Sequence, residues 1–330
     1  MDHLLLRSIY FGGGTPSLLS PELLNRMIQT FTSGNCHPEL EITIEANPET
    51  IHQSVLSSYH QIRINRISLG VQSLVDRELL ALGRGHRSNQ ALQAQDQISR
   101  AGFKSYSLDL MIETPHQTIA SWKHSLETLR NNPPPHLSLY NLVIEPYTVF
   151  AKAQSSLQKV IVGSEEGALM LQNAILCFEN LGLERYEISA FAKPGHISIH
   201  NTGYWRGRTF IGLGPSAYSF YNQERLQNHC DLKKWSEDVR NHTLPISTID
   251  RLSPKARQAE LLAIHLRISS GINTKAFEER WGSLSSVLQE SINNLKDQDM
   301  IQYDSSILKL TAKGQLYYEQ VASELVVLED

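Results

Sequence analysis

Cysteine is scarce in this sequence: Cys36, Cys177 and Cys230 are the three present in 330 residues, and no two lie close together. An odd number at such spacing excludes a disulfide framework, and the lack of a Cys-x-x-Cys pair leaves no recognisable metal loop. Each reads as a small buried or surface thiol. Excess charge of one sign is missing too. Lys and Arg total 30 against 34 Asp and Glu, a net charge of -4, which excludes the basic footprint of a nucleic-acid binder and a polybasic membrane anchor. No apolar run approaches the ~20 residues that a membrane-spanning helix needs. The opening residues MDHLLLRSIYFGGG carry neither a basic n-region nor a small-residue cleavage site, so they do not read as a signal peptide. The expected location is the cytoplasm.

What is present is ordinary globular composition, 41% apolar and 19% charged. The length suits one large domain and a smaller one. Short β-branched runs at 5–11, 41–45, 66–69, 105–110 and 136–140 alternate with helical patterns at 21–32, 51–59, 76–82, 88–101 and 119–131. In the fourth pattern Ala91, Leu92, Ala94 and Ile98 form one apolar stripe, and Gly102 supplies the stop. Strand spacings of roughly 25–40 residues fit successive right-handed βαβ crossovers. The fold class is α/β, a parallel barrel or part of one. Pro133-Pro134-Pro135 stiffens one connection, and a helix at 165–181 with a strand at 186–191 extends the sheet.

Residues 193–219 are rich in Gly, His and aromatics without a clean period, the kind of loop in which function concentrates. Beyond them, helices at 256–268, 274–281 and 283–297, a hairpin at 301–310 and a helix at 313–328 read as a small winged-helix-like α+β domain. It is not basic, so a packing or partner role fits it better than DNA binding. The expected division is 1–195 for the barrel, 196–250 for the loop and its connection, and 251–330 for the C-terminal domain.

The chemistry is carried by five features expected at the carboxyl ends of successive strands, the end of a parallel barrel that faces the active-site mouth. They are Gly13-Gly14-Thr15, Glu45 before Ala46-Asn47-Pro48, Gln72, Arg84 and Asp109. A strand-end carboxylate accepts both hydroxyls of a ribose in dinucleotide folds. A glutamine and an arginine suit an amino-acid carboxylate, the arginine bidentately, and glycine amides would complete a site for a zwitterionic nucleoside. Each has a plainer alternative: Glu45 capping the turn before Pro48, Arg84 in a surface ion pair, Asp109 as a helix N-cap. Together, in barrel order, they favour a ligand site.

Four stretches carry a family resemblance: Ser-Ile-Tyr-Phe-Gly-Gly-Gly-Thr-Pro-Ser, Glu-Ala-Asn-Pro-Glu, Asn-Arg-Ile-Ser-Leu-Gly-Val-Gln-Ser and Tyr-Ser-Leu-Asp-Leu-Met. They resemble the radical S-adenosylmethionine (SAM) enzymes of the oxygen-independent coproporphyrinogen oxidase type, and the likeness covers essentially the whole chain. It implies a partial (β/α) barrel in which Gly13, Gly14 and Thr15 contact the methionyl part of SAM and Glu45 its ribose. Gln72, Arg84 and Asp109 would line the rest. His200-Asn201-Thr202-Gly203-Tyr204-Trp205 is similar to the His-Asn-x-x-Tyr-Trp pattern of the family's heme-chaperone branch. That implies heme as ligand, heme-accepting proteins as partners, and His200, Tyr204 and Trp205 as the heme site, with His196 as a substitute ligand. A neutral imidazole can ligate heme iron and flat aromatics can cover the macrocycle; the plainer alternative is a motif that fills core. The family's Cys-x-x-x-Cys-x-x-Cys loop for a [4Fe–4S] cluster has no counterpart here, and its ligands are expected on a strand–helix unit upstream of Met1. Two further functions stay open: radical decarboxylation of coproporphyrinogen III, and a cluster-free scaffold that binds neither ligand.

Overall fold

Five strands pair in parallel in chain order: β1 (Leu6–Phe11), β2 (Cys36–Ala46), β3 (Arg66–Gln72), β4 (Ser105–Ile112) and β5 (His136–Asn141). Helices α1 (Pro21–Thr32), α2 (Gln53–Gln61), α3 (Asp76–Ala81), α4 (Ser88–Arg100) and α5 (Ile119–Asn131) fill the crossovers. This is a computed structural model, and it describes residues 5–103, 105–146, 148–153, 160–304 and 306–326. The chain divides into two compact units, Met1–His200 and Asn201–Asp330.

In the first unit the single strand expected at 186–191 is a hairpin, β6 (Glu184–Glu187) and β7 (Ala190–Ala192). The chain reverses at Ile188-Ser189, where the guanidinium of Arg185 donates to the Ile188 carbonyl and Leu139 N donates to the Ser189 carbonyl. β7 then pairs antiparallel with β5, and the sheet order is β1-β2-β3-β4-β5-β7-β6. Local sequence starts and stops the helices. Ser20 accepts from Leu23 N ahead of Pro21, Thr118 accepts from Ser121 N, and Gly102 takes φ +82° after α4.

Alternation along the strands divides the sheet into two unlike faces. Ile42, Ile44, Ile67, Leu69, Leu108, Leu110, Leu137 and Leu139 are buried in one core with Leu24, Leu56, Ile98 and Leu126 of the covering helices. Each such side chain contributes about 1.5–3 kcal/mol on leaving water. Trp122 Nε1 donates to the Met170 carbonyl at 2.8 Å, fixing α5 to the helix Ser164–Asn180. The intervening residues form the other face: Ser8 and Tyr10, Thr43 and Glu45, Arg66 and Ser68, Ser107 and Asp109, His136 and Ser138. Every one is polar.

The second unit holds more order than its sequence suggested. Tyr218–Tyr221, Glu224–Asn228 and Ile246–Asp250 form an antiparallel sheet within 196–250, the region expected to be a loop and its connection, with the helix Leu232–Arg240 between the last two. The helices Pro254–Leu266, Thr274–Trp281 and Ser286–Asp297 precede a hairpin, Ile301–Asp304 with Ile307–Leu310, to which Ile272–Asn273 adds a third strand. Gln258 Nε2 donates to the Gly282 and Ser283 carbonyls at 2.6 and 3.0 Å, which fixes the turn between two of these helices. The helix expected at 313–328 is two, Ala312–Leu316 and Tyr318–Leu325, because Tyr317 leaves the helical region at φ -109°, ψ 35°. Positions 327 and 328 lie outside the described residues. Among the described residues no helix is long and apolar enough to cross a membrane.

Candidate functional site

The turn after β1 is built around Glu45. Gly12 follows Phe11 directly, and a Cβ there would stand 2.8 Å from the Tyr10 ring and 3.1 Å from Glu45 Oε1. Gly13 and Gly14 take φ +76° and +59°, a region costly for residues with a Cβ. The bend brings Gly13 N to 3.1 Å from Glu45 Oε2, while Tyr10 Oη donates to Glu45 Oε1 at 2.7 Å. Burial, and then the nearby Glu45 and Asp109, push the Tyr10 phenol upward, so it stays a donor. Each carboxylate oxygen has one donor and capacity for another, which leaves room for a diol. Glu45 therefore organises the turn from the end of β2 and does not cap the turn before Pro48. Thr15 opens the short turn Pro16–Leu18, its carbonyl accepting from Leu18 N.

Gln72 ends β3 at φ +65°, and its amide folds back over Gly70, where a Cβ would meet Gln72 Nε2 at 3.0 Å and Asn47 Oδ1 at 3.4 Å. Asp109 lies within β4, in register with Gly70 and Ser138, and so cannot be a helix N-cap. Ser68 donates to its Oδ2 at 2.8 Å and Ser107 to its Oδ1 at 3.0 Å. Burial raises its pKa and the hydrogen bonds from Ser68, Ser138 and Ser107 oppose that rise. Below it, Ser107 Oγ also meets His136 Nδ1 at 2.8 Å, and His136 Nε2 meets Tyr186 Oη at 2.9 Å. Burial, then Arg66, holds His136 well below its usual pKa, so it is neutral.

Arg84 departs from the expected arrangement. It lies in the loop between α3 and α4, not at a strand end, because Gly83 (φ +69°) turns the chain there and Arg84 N closes the helix on the Leu79 carbonyl. Its half-buried guanidinium is lowered by burial and raised by Glu49, the carboxylate that also faces His86 Nδ1 at 3.3 Å. Gly13, Glu45 and the Tyr10 hydroxyl are thus joined by hydrogen bonds, the Glu45 charge adds to the rise at Asp109, and Arg84 belongs to a separate Glu49 cluster.

The hexapeptide expected as loop is the helix Ile199–Trp205. Glu41, buried on β2, accepts from Ile199 N and His200 N, both at 2.9 Å, and so satisfies two of the amides that a helix start leaves without an intrahelical partner. His200 Nδ1 is 3.0 Å from Ser8 Oγ, and its ring stacks on Tyr10 with centroids 4.6 Å apart. Burial lowers its pKa to about 4, leaving a neutral imidazole at physiological pH. At helical spacing Tyr204 shares the face of His200 and Trp205 turns away from it. Tyr204 packs edge-on against Phe210 at 4.6 Å, and Arg267 lies 4.2 Å over the Trp205 ring. The aromatic pair therefore packs with Phe210 and Arg267 of the second unit, while His200 packs within the first. Among the described residues His196 Nδ1 is buried without a hydrogen-bond partner.

The polar residues that the sequence reading missed are Ser8, Tyr10, Glu41, Ser68, Ser107, His136 and Ser138. The signal was there: they alternate with the apolar residues that marked the strands. Cys36 begins β2, Cys177 is buried in the helix Ser164–Asn180, and Cys230 is exposed in the second unit. Among the described residues no three His, Cys, Asp or Glu side chains come together as a metal site. A [4Fe–4S] cluster does not fit these thiols, whereas the Glu45 turn fits a nucleoside diol and His200 has the protonation state of an iron ligand.

Comparison with known proteins agrees with this architecture. Residues 2–129 match the radical SAM superfamily and residues 252–317 the HemN C-terminal domain. Among solved structures, coproporphyrinogen III oxidase (HemN) from Escherichia coli, described as a radical SAM enzyme, superposes with a TM-score of 0.83 at 21% identity. The match covers 98% of this chain and 78% of that one, and it establishes the radical SAM fold. The heme chaperone HemW of Synechocystis is 35% identical over 288 residues, 86% of this chain and 68% of the relative. HemW of Lactococcus lactis is 31% identical, covering 94% and 82%, and that of Bacillus subtilis 29%, covering 96% and 84%. The chain belongs to the HemW family of the radical SAM superfamily.

Proposed function

We propose that this protein is a cytoplasmic heme chaperone that binds SAM at the Glu45 turn, carries heme through His200 and passes it to acceptor proteins. The observation that carries the reading is the setting of His200, a half-buried neutral imidazole held on the helix Ile199–Trp205 against Ser8 and Tyr10. In the Nδ1–H tautomer Ser8 accepts from His200, and metal-bound histidines characteristically have one ring nitrogen engaged in this way. Tyr204, on the face it shares with His200, supplies apolar surface for the macrocycle, while Trp205, turned away from that face, packs under Arg267. For SAM, Glu45 takes the ribose diol, Gly13, Gly14 and Thr15 the methionyl part, and Gln72 and Asp109 the remaining polar groups, with Arg84 left to its Glu49 cluster. Superfamily membership implies a [4Fe–4S] cluster, and its ligands are not Cys36, Cys177 and Cys230. When bound, heme supplies an iron centre for a protein nitrogen; what this chain does is orient that nitrogen and keep it unprotonated.

The test is a heme titration of the 330-residue chain and its His200→Ala, His196→Ala and Tyr204→Ala variants, with folding checked by circular dichroism. His200→Ala is expected to stay folded while the Soret band shifts or disappears. A Soret band unaffected by either histidine substitution would overturn the heme assignment of this motif, and turnover of coproporphyrinogen III by a form that carries the cluster ligands would favour the oxidase.

A further inference from the structure

Tyr10 stands between two residues that the family motifs give to different ligands. Its hydroxyl donates to Glu45 Oε1 at 2.7 Å, and its ring lies on the His200 imidazole, the two planes only 19° from parallel. A third side is closed by the backbone of Gly12, where even a Cβ would stand 2.8 Å from the ring. The ring is therefore tied at its tip, covered on one face and bounded along one edge. Its neighbours are equally constrained. Glu45 also holds Gly13 N at 3.1 Å, and His200 is fixed by Ser8 at its Nδ1 and by Glu41 at its backbone. A displacement of Glu45 passes to Tyr10 through a charge-assisted hydrogen bond and on to His200 through two packed rings.

We propose that Tyr10 is a positioning residue shared by the nucleoside carboxylate Glu45 and the His200 imidazole, so that ligands at the two places are energetically coupled through it. The inference rests on the assignment of those two residues to SAM and heme. A ribose diol on Glu45 orders the carboxylate, the tyrosine that leans on it and the imidazole beneath that tyrosine. Heme then meets a histidine whose ordering cost has already been met, and binds more tightly. Linkage makes the effect reciprocal: heme raises SAM affinity by the same factor.

Two measurements on the 330-residue chain test this. In NMR spectra of histidine-labelled protein, SAM is expected to shift the His200 ring resonances in the wild type and to leave them in place in Tyr10→Phe, which keeps the ring and loses the tether. In Soret titrations, saturating SAM is expected to tighten heme binding by about fivefold or more in the wild type, and the ratio to fall to about one in Tyr10→Phe. A Tyr10 that only fills space would give the same ratio in both proteins, since the Phe ring preserves the packing. SAM that moves the Gly13 amide but not His200 overturns the shared role of Tyr10 and leaves the two site assignments standing. SAM that moves neither overturns the assignment of Glu45, a wild type that takes up no heme overturns that of His200, and either result removes this proposal as well.

Discussion

Gly12→Ala is expected to damage the site by sterics, in contrast to the two glycines beside it. The new methyl would sit 2.8 Å from Tyr10 Cε1 and 3.1 Å from Glu45 Oε1, where relaxed contacts lie at about 3.5–4.0 Å. Tyr10 cannot retreat cheaply, because its hydroxyl is on Glu45 and its face is on His200. Overpacking of this kind costs about 1–3 kcal/mol. At about 2 kcal/mol, a unit the size of Met1–His200 should lose roughly 4–8 °C in Tm. Gly13→Ala meets no atom within 4 Å and is strained only by its φ of +76°, a cost of about 1–2 kcal/mol. Gly34→Ala meets neither obstacle and serves as the control. Scanning calorimetry reads the stabilities, and SAM titration reads whether displaced Tyr10 takes Glu45 with it. A Gly12→Ala protein as stable as the Gly34→Ala control, with unaltered SAM affinity, would refute the close packing described for this turn.

Glu45→Ala is expected to weaken SAM binding about tenfold or more by calorimetric titration, from the loss of a charge-assisted hydrogen bond of about 1.5–3 kcal/mol; equal affinity would remove Glu45 from the site. Glu78, buried in α3, accepts from Ser73 at 2.6 Å, Ser121 at 2.6 Å and Gln117 at 3.2 Å. Glu78→Ala strands these donors and should cost about 2–4 kcal/mol in urea unfolding, while Glu78→Gln, which keeps one acceptor oxygen, should cost less. His136 and His265 are both held below the usual histidine range by burial. The unfolded chain then takes up protons before the folded one, so stability is fully present above about pH 6.5 and is lost as pH falls toward the folded values. Each histidine contributes up to about 1.4 kcal/mol per pH unit. Urea unfolding at about pH 7.5 and about pH 5.5 should show this loss, and His136→Gln should show a smaller one. An equal loss in that variant would mean His136 is protonated in the fold.

How far the sequence reached is clearest in particular residues. The β-branched runs, the helix stops and the crossover lengths define a parallel α/β sheet, since hydrophobic period and turn chemistry are local properties. The placement of Gly13 and Glu45 was legible for the same reason, a bare glycine turn and a carboxylate at neighbouring strand ends, and the fold joins them by a hydrogen bond. Arg84 was misplaced at a strand end although the helical pattern at 76–82 already set it after a helix, and only the folded loop shows its partner to be Glu49. The hairpin of β6 and β7 was hidden because its tight reversal at Ile188-Ser189 has no glycine or proline to mark it. Tertiary structure alone decided the rest. His200 meets Ser8 across 192 positions, and Glu41 starts the helix of His200 with a side chain from another strand. A hydrogen-bond acceptor or a stacked ring supplied from so far away has no local signature, so the motif was visible in the sequence while the protonation, orientation and neighbours of its histidine were set only when the chain closed on itself.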